Sequence, residues 1–150
     1  MKYEHESTDI DRFSLHDCRA TSAEFTREDG RLVFRFPDGI FASDYSDDWP
    51  NTGRAEVEFR IDPMRGVTVY LFEDAGDAAV RRECPLCGLI EKINALKWEL
   101  EFAYRYDGYE EILYKCWLWE NDSPHTYECE LWIGTKDDVV FRWDAPAKTC

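Results

Sequence analysis

No stretch of this chain approaches the ~20 consecutive apolar residues that carry a helix across a bilayer. Its opening, Met1-Lys2-Tyr3-Glu4-His5-Glu6, is polar and lacks the apolar run of a secretory signal. A cytoplasmic protein without a membrane segment is the expectation. Basic residues are in deficit: 18 Lys and Arg stand against 32 Asp and Glu, a net charge of −14, and each fifty-residue third is net acidic. Direct binding to nucleic-acid phosphates needs a basic footprint that releases counterions, and this chain has none. Histidine is scarce, with only His5, His16 and His125. Internal repeats, low-complexity tracts and long linkers are absent too, so residues 1–150 read as a single acidic domain.

What the chain does have is core material. Hydrophobic residues make up 44% and aromatic residues 15% of 150 positions, and a domain of that size buries roughly 70% of its unfolded surface without help from cross-links. The six cysteines are therefore expected as free thiols in a reducing compartment. The spread of acids keeps a small domain soluble, and it also favours a basic partner protein electrostatically.

The clearest strand is Ala55, Val57, Phe59 and Ile61 alternating with Arg54, Glu56, Glu58 and Arg60, a period of two that puts the apolar set on one face. Trp98, Leu100, Phe102, Tyr104 and Tyr106 form a second set of this kind. Asp29-Gly30 predicts a two-residue type I′ hairpin that would face Phe25 with Phe34 and Ala23 with Phe36. Pro37-Asp38-Gly39 and Asp62-Pro63-Met64-Arg65-Gly66 read as further turns. One helix is expected over about 85–96, where Leu86, Leu89, Ile90, Ile93 and Leu96 recur at helical spacing behind Pro85. The fold expected is mainly β, an antiparallel β-sandwich or strongly curved sheet with that one short helix.

Near the carboxy terminus, Glu110 to Glu120 and His125 to Thr135 are strands joined by the turn formers Asn121-Asp122-Ser123-Pro124. Pairing Glu120 with His125 makes facing positions sum to 245, so that Cys116 meets Cys129, Leu118 meets Tyr127 and Tyr114 meets Leu131. The other face then carries Trp117, Trp119 and Trp132 beside Lys115, Glu128 and Glu130. Either another element covers these indoles as core, or Trp117, Trp119, Trp132, Glu128 and Glu130 form an acid-rimmed aromatic patch of the kind enriched at protein-binding hot spots.

Catalytic and metal chemistry finds little footing. Cys84-Pro85-Leu86-Cys87 is similar to the Cys-Pro-Xaa-Cys of glutaredoxins, whose first thiol sits at a helix amino terminus, but it follows several antiparallel strands instead of opening a βαβ unit. As half of a zinc site it lacks a second pair at comparable spacing, with Cys116 and Cys129 expected inside a sheet and Cys18 and Cys150 isolated. His16-Asp17-Cys18 sets a base, an acid and a thiol side by side, yet a cysteine nucleophile needs its base converging in a cleft. Asp44-Tyr45-Ser46-Asp47-Asp48 and Glu73-Asp74-Ala75-Gly76-Asp77 lack the spacing of a calcium loop. No catalytic residue, metal or cofactor is expected.

Ser14-Leu15-His16-Asp17-Cys18-Arg19, the hairpin ending Phe36-Pro37-Asp38-Gly39, and the late Cys116-Trp117-Leu118-Trp119 with Tyr127-Glu128-Cys129-Glu130-Leu131-Trp132 resemble a group of small uncharacterised bacterial all-β proteins, some of them grouped with immunity proteins of polymorphic toxin systems. The resemblance implies toxin neutralisation and transfers no functional residue. The functional expectation is a non-enzymatic intracellular binding protein, an inhibitor or immunity protein that covers a basic partner. The alternatives are an acidic nucleic-acid mimic, with carboxylates spaced like phosphates, and a small-ligand-binding β domain with an enclosed apolar pocket.

Overall fold

Alternating apolar side chains commit most of this chain to strands, and a computed structural model describes residues 2–43, 50–75 and 78–146. In chain order the strands are β1 (His5–Ser7), β2 (Phe13–Ser14), β3 (Cys18–Ala20), β4 (Ser22–Thr26), β5 (Arg31–Phe36), β6 (Phe41–Ala42) and β7 (Ala55–Arg60). They continue with β8 (Val67–Ala75), β9 (Ala78–Cys84), β10 (Trp98–Gly108), β11 (Glu111–Glu120), β12 (Thr126–Gly134) and β13 (Val140–Trp143). A 3₁₀ turn spans Ile10–Arg12, and the helix α1 spans Leu86–Asn94. Five strands make one antiparallel sheet in the order β1-β13-β7-β5-β4; six make a second in the order β3-β10-β11-β12-β8-β9; β2 and β6 form a small third pair.

The two large sheets pack face to face with one core between them. Val57 and Phe59 of β7 and Phe34 and Phe36 of β5 meet Leu100, Phe102, Tyr114, Leu118 and Leu131 of the six-stranded sheet. Ring pairs bridge the layers, Phe34 to Phe102 at 5.4 Å and Phe59 to Tyr114 at 5.9 Å, both edge-on, the arrangement that ring quadrupoles favour. The fold is thus the mainly β, antiparallel architecture that the period-two segments predict.

The β11–β12 hairpin has the register expected, from Glu111 opposite Gly134 to Trp119 opposite Thr126, with Cys116 facing Cys129. Two local readings need correction. In the β4–β5 hairpin Ala23 faces Phe34 and Phe25 faces Leu32, two residues from the Asp29-Gly30 expectation. Only Gly30 takes a positive φ there, 63°, so Arg27-Glu28-Asp29-Gly30 form a longer loop in place of a type I′ turn, which requires two. A slip of two preserves every side chain's face.

In β10 the five aromatic and aliphatic positions do not share one face. Pairing with β11 runs Phe102 to Cys116 and then Tyr104 to Lys115, so Ala103 is an extra residue. Such a bulge inverts the alternation beyond it. Leu100 and Phe102 point into the core, whereas Tyr104 and Tyr106 are exposed.

The helix begins behind Pro85, which caps it in an extended conformation, and buries Leu89 and Ile93. Leu96, the last residue of the expected stripe, lies outside the helix at φ 61° and is exposed. The amides of Leu96 and Lys97 return to the carbonyls of Ile93 and Lys92, which is the Schellman ending that needs a left-handed residue at that point. Asn94 then clasps edge strand β4: its Oδ1 accepts from Ala23 N at 2.9 Å and its Nδ2 donates to Ala23 O at 2.8 Å. After β5, Gly39 turns the chain at φ 86°, where a Cβ would come within 2.3 Å of the Thr52 carbonyl.

The outer face of the five-stranded sheet is an ionic lattice. Glu56 and Glu58 of β7 are both only 5% exposed. Arg142 Nη1 reaches Glu56 at 2.9 Å and Glu58 at 3.0 Å, and Arg31 Nε reaches Glu58 at 2.5 Å. Arg35 adds Glu56 at 3.4 Å, and Glu24 and Glu6 extend the lattice outward through Arg35 and Arg142. This sheet therefore uses paired charges in place of a plain solvated surface.

Candidate binding surface

The outer face of the six-stranded sheet is built differently. Register places Trp117 and Trp119 of β11 beside Glu128 and Thr126 of β12, and sets Phe72 of β8 opposite Glu128. Trp132 lies further along β12, opposite Thr68, and Tyr70 faces Glu130. The bulge at Ala103 turns Tyr104 and Tyr106 to the outward side, where Tyr104 pairs with Lys115. Helix α1 packs against β4, β10 and β8, with Leu89 and Ile93 in the core.

The three indoles have unequal surroundings. Trp119 is half-buried beneath Arg19, whose guanidinium carbon lies 4.4 Å from the ring centroid. Glu99 and Glu101 hold that guanidinium at 3.0 and 3.1 Å. The Trp119 Nε1 is buried with no hydrogen-bond partner among the described residues. Trp132 is half-buried and donates from Nε1 to Glu130 Oε1 at 3.0 Å, while Glu130 Oε2 lies 3.8 Å from Lys115. Trp117 stands apart: it is 41% exposed and carries no such cover.

Trp117 forms one wall of a shallow depression of about 510 Å³, together with Phe72, Glu73, His125, Tyr127 and Glu128. Glu73 is engaged by Arg82 at 2.6 Å. Glu128 is exposed and has no ion pair among the described residues. Among the described residues no Lys or Arg lines the depression. Of the five residues read from the sequence as a patch, Trp117 and Glu128 thus meet here, whereas Glu130, Trp132 and Trp119 are occupied with neighbours. Phe72, Glu73 and Tyr127 join Trp117 and Glu128 although the sequence reading does not place them in the patch, setting Glu73 in an acid cluster and Tyr127 opposite Leu118. The alternation in Val67-Thr68-Val69-Tyr70-Leu71-Phe72 was the available signal for Phe72, but nothing local says that β8 pairs with β12.

The other chemical groupings separate on folding. His16 and Asp17 form a turn in which His16 Nε2 lies 3.4 Å from Asp17 Oδ2, and His16 Nδ1 lies 2.7 Å from the Ala103 carbonyl. Cys18 points its thiol at the carbonyls of Ser14 and His16, not at the His16 ring, and burial pushes that thiol up to about 12. Such a group is not a thiolate nucleophile at neutral pH. Burial likewise raises Cys84, with Arg82 and Lys92 opposing the effect, the reverse of what a glutaredoxin-type thiol needs. Cys116 and Cys129 are buried, free and raised by desolvation. Among the described residues no group of three or more His, Cys, Asp or Glu converges to hold a metal. The Asp44–Asp48 acid cluster, Asp77 and Cys150 lie outside the described residues. Among the described residues no helix is long and apolar enough to cross a membrane. Comparison with known proteins gives no family model, no curated protein and no solved structure that matches this chain.

Proposed function

We propose that this protein is a non-enzymatic binding module that engages a basic protein partner through the outer face of its six-stranded sheet, centred on Trp117 and Glu128. The observation that carries this reading is the depression itself, an exposed indole beside a carboxylate without an ion pair among the described residues, and with no Lys or Arg among the described residues that line it. A Lys or Arg side chain from a partner satisfies both walls at once, stacking on the indole and pairing with the acid. The net charge of −14 accelerates the approach of such a partner. A toxin-neutralising inhibitor in the cytoplasm is a particular case of this reading and rests on the sequence resemblance alone.

The test is a fluorescence titration of the whole chain with a Lys/Arg-rich peptide, at low and high salt. Trp117→Ala should leave the fold intact and weaken binding by about 2 kcal/mol or more, as at a hot spot, and Glu128→Gln should flatten the salt dependence. Binding that persists unchanged in Trp117→Ala refutes the assignment.

A further inference from the structure

A second recess opens at the flank of the sandwich, where the segment from Ile10 to His16 crosses β10. Its volume is about 280 Å³, and Asp11, Ser14, His16 and Arg105 line it beside the aromatic rings. Phe13 and Phe141 stack 4.4 Å apart as one wall, and Phe102 and Tyr114 meet edge-on at 5.1 Å as another. The bulge at Ala103 shapes the mouth, as bulges beside binding sites often do. Asp17 N donates to Phe102 O at 2.8 Å, which fixes the crossing segment there.

The polar groups of this recess differ in whether they are satisfied. Arg105 is fully committed: Nη2 to Asp11 at 3.1 Å, Nε to Asp107 at 3.1 Å and Nη1 to the Ile10 carbonyl at 3.3 Å. His16 is held by the Ala103 carbonyl and Asp17. Tyr114 is the exception. It is 3% exposed and lines the recess, and its hydroxyl, which has no hydrogen-bond partner among the described residues, is open to the recess and not sealed off as the Trp119 Nε1 is.

We propose that this recess binds a small uncharged ring compound carrying a hydrogen-bond acceptor, with the ring between the Phe13 and Phe102 walls and the acceptor on the Tyr114 hydroxyl. The absence of charge follows from the pairing of Arg105 with Asp11 and Asp107, which leaves neither a free cation for a ligand anion nor a free carboxylate for a ligand cation among these three groups. The acceptor follows from Tyr114, whose unpartnered hydroxyl lines the recess: desolvation by burial keeps the phenol protonated, raised from its ordinary value, so its proton is there to be donated. This goes beyond the partner-binding reading and shares no lining residue with the Trp117 depression.

Acetophenone, toluene and benzoate serve as probes of the whole chain, followed by amide chemical shifts. Acetophenone should shift Phe13, Ala103 and Tyr114 with a dissociation constant of about 1 mM or tighter, within reach of nine non-hydrogen atoms. Tyr114→Phe should weaken it about fivefold, one hydrogen bond, and leave toluene unchanged; benzoate should bind about tenfold more weakly than acetophenone. Ser14→Leu, which narrows the recess without touching Tyr114, should abolish binding of both neutral rings. Absence of shifts up to about 10 mM acetophenone, shifts at Trp117 in place of Phe13, benzoate binding as well as acetophenone, equal weakening of toluene by Tyr114→Phe, or undiminished binding in Ser14→Leu would each overturn the proposal.

Discussion

Arg31 of β5 reaches diagonally to Glu58 of β7, two positions from its facing residue Arg60, with Nε and Oε1 2.5 Å apart, on a carboxylate that Arg142 also holds. Burial alone would raise Glu58, but hydrogen bonds from Arg31 and Arg142, reinforced by their charge, hold it below its ordinary value. Because the folded state favours the ionised form, this contribution is complete above the unfolded value of about 4.3. It is lost as pH falls through the lower folded value. Glu58→Gln should therefore cost about 2 kcal/mol near neutrality, less than a fully buried pair because its arginines reach water. It should also flatten the fall in stability below pH ~4.5. Urea unfolding across pH checks both; an unchanged acid limb in the variant would show that Glu58 is not the group responsible.

Trp119 carries a ring covered by Arg19 and an N–H with no partner among the described residues. Trp119→Ala should cost about 2 kcal/mol of stability, below the 3 to 5 of a fully buried ring. Trp119→Phe keeps a ring under the guanidinium and removes the unsatisfied donor, so its cost should stay under about 1 kcal/mol. Thermal unfolding of both variants decides this, and equal losses would show that a ring beneath Arg19 is not what stabilises the fold here.

Leu96 ends the helix in a left-handed conformation that only glycine adopts freely, yet its side chain is exposed. Leu96→Gly should stabilise the protein by about 0.5 to 1 kcal/mol, the relief of Cβ strain less the added freedom of the unfolded chain. Calorimetry would show a higher midpoint; a lower one would mean that the leucine makes contacts worth more than its strain.

Cysteine reactivity should follow exposure. Cys87 is exposed, whereas Cys18, Cys116 and Cys129 are buried and their thiols raised by desolvation. Alkylation of the native protein at pH 7.5 should label Cys87 first and leave those three untouched until unfolding, when six thiols should titrate without reductant. Mass spectrometry after timed quenching reads the order, and early labelling of Cys116 would contradict it.

Sequence alone carried far where one strand's period or one turn's chemistry decides the outcome. The facing of Cys116 with Cys129 follows from alternation and a four-residue turn. It carried less far where a single inserted residue matters. Nothing in Phe102-Ala103-Tyr104 announces a bulge, because the extra residue is defined only against Cys116 and Lys115 of the partner strand. Glu56 and Glu58 looked like the solvated side of an amphipathic strand, and their burial depends on arginines from β5 and β13, one of them 84 residues away from Glu58. The depression at Trp117 was half legible for the same reason: Glu128 comes from the adjoining hairpin strand, Phe72 from β8.

The pairing of β1 with β13, His5 opposite Trp143, constrains how the molecule comes into being. β4 pairs with β5 and β5 with β7, and β10, β11 and β12 are neighbours in sequence, so both groups can zip together as they emerge from the ribosome. The five-stranded sheet nevertheless stays incomplete, since β13 stands between β1 and β7 and follows β1 to β12 in chain order. At about 5 to 20 residues per second of elongation, the half-built sheet stays open for seconds. Loop closures this long also place refolding in the slow, millisecond-to-second regime of non-local β topologies. Nascent chains stalled before residue 140 should therefore be the form of this protein that chaperones and proteases meet.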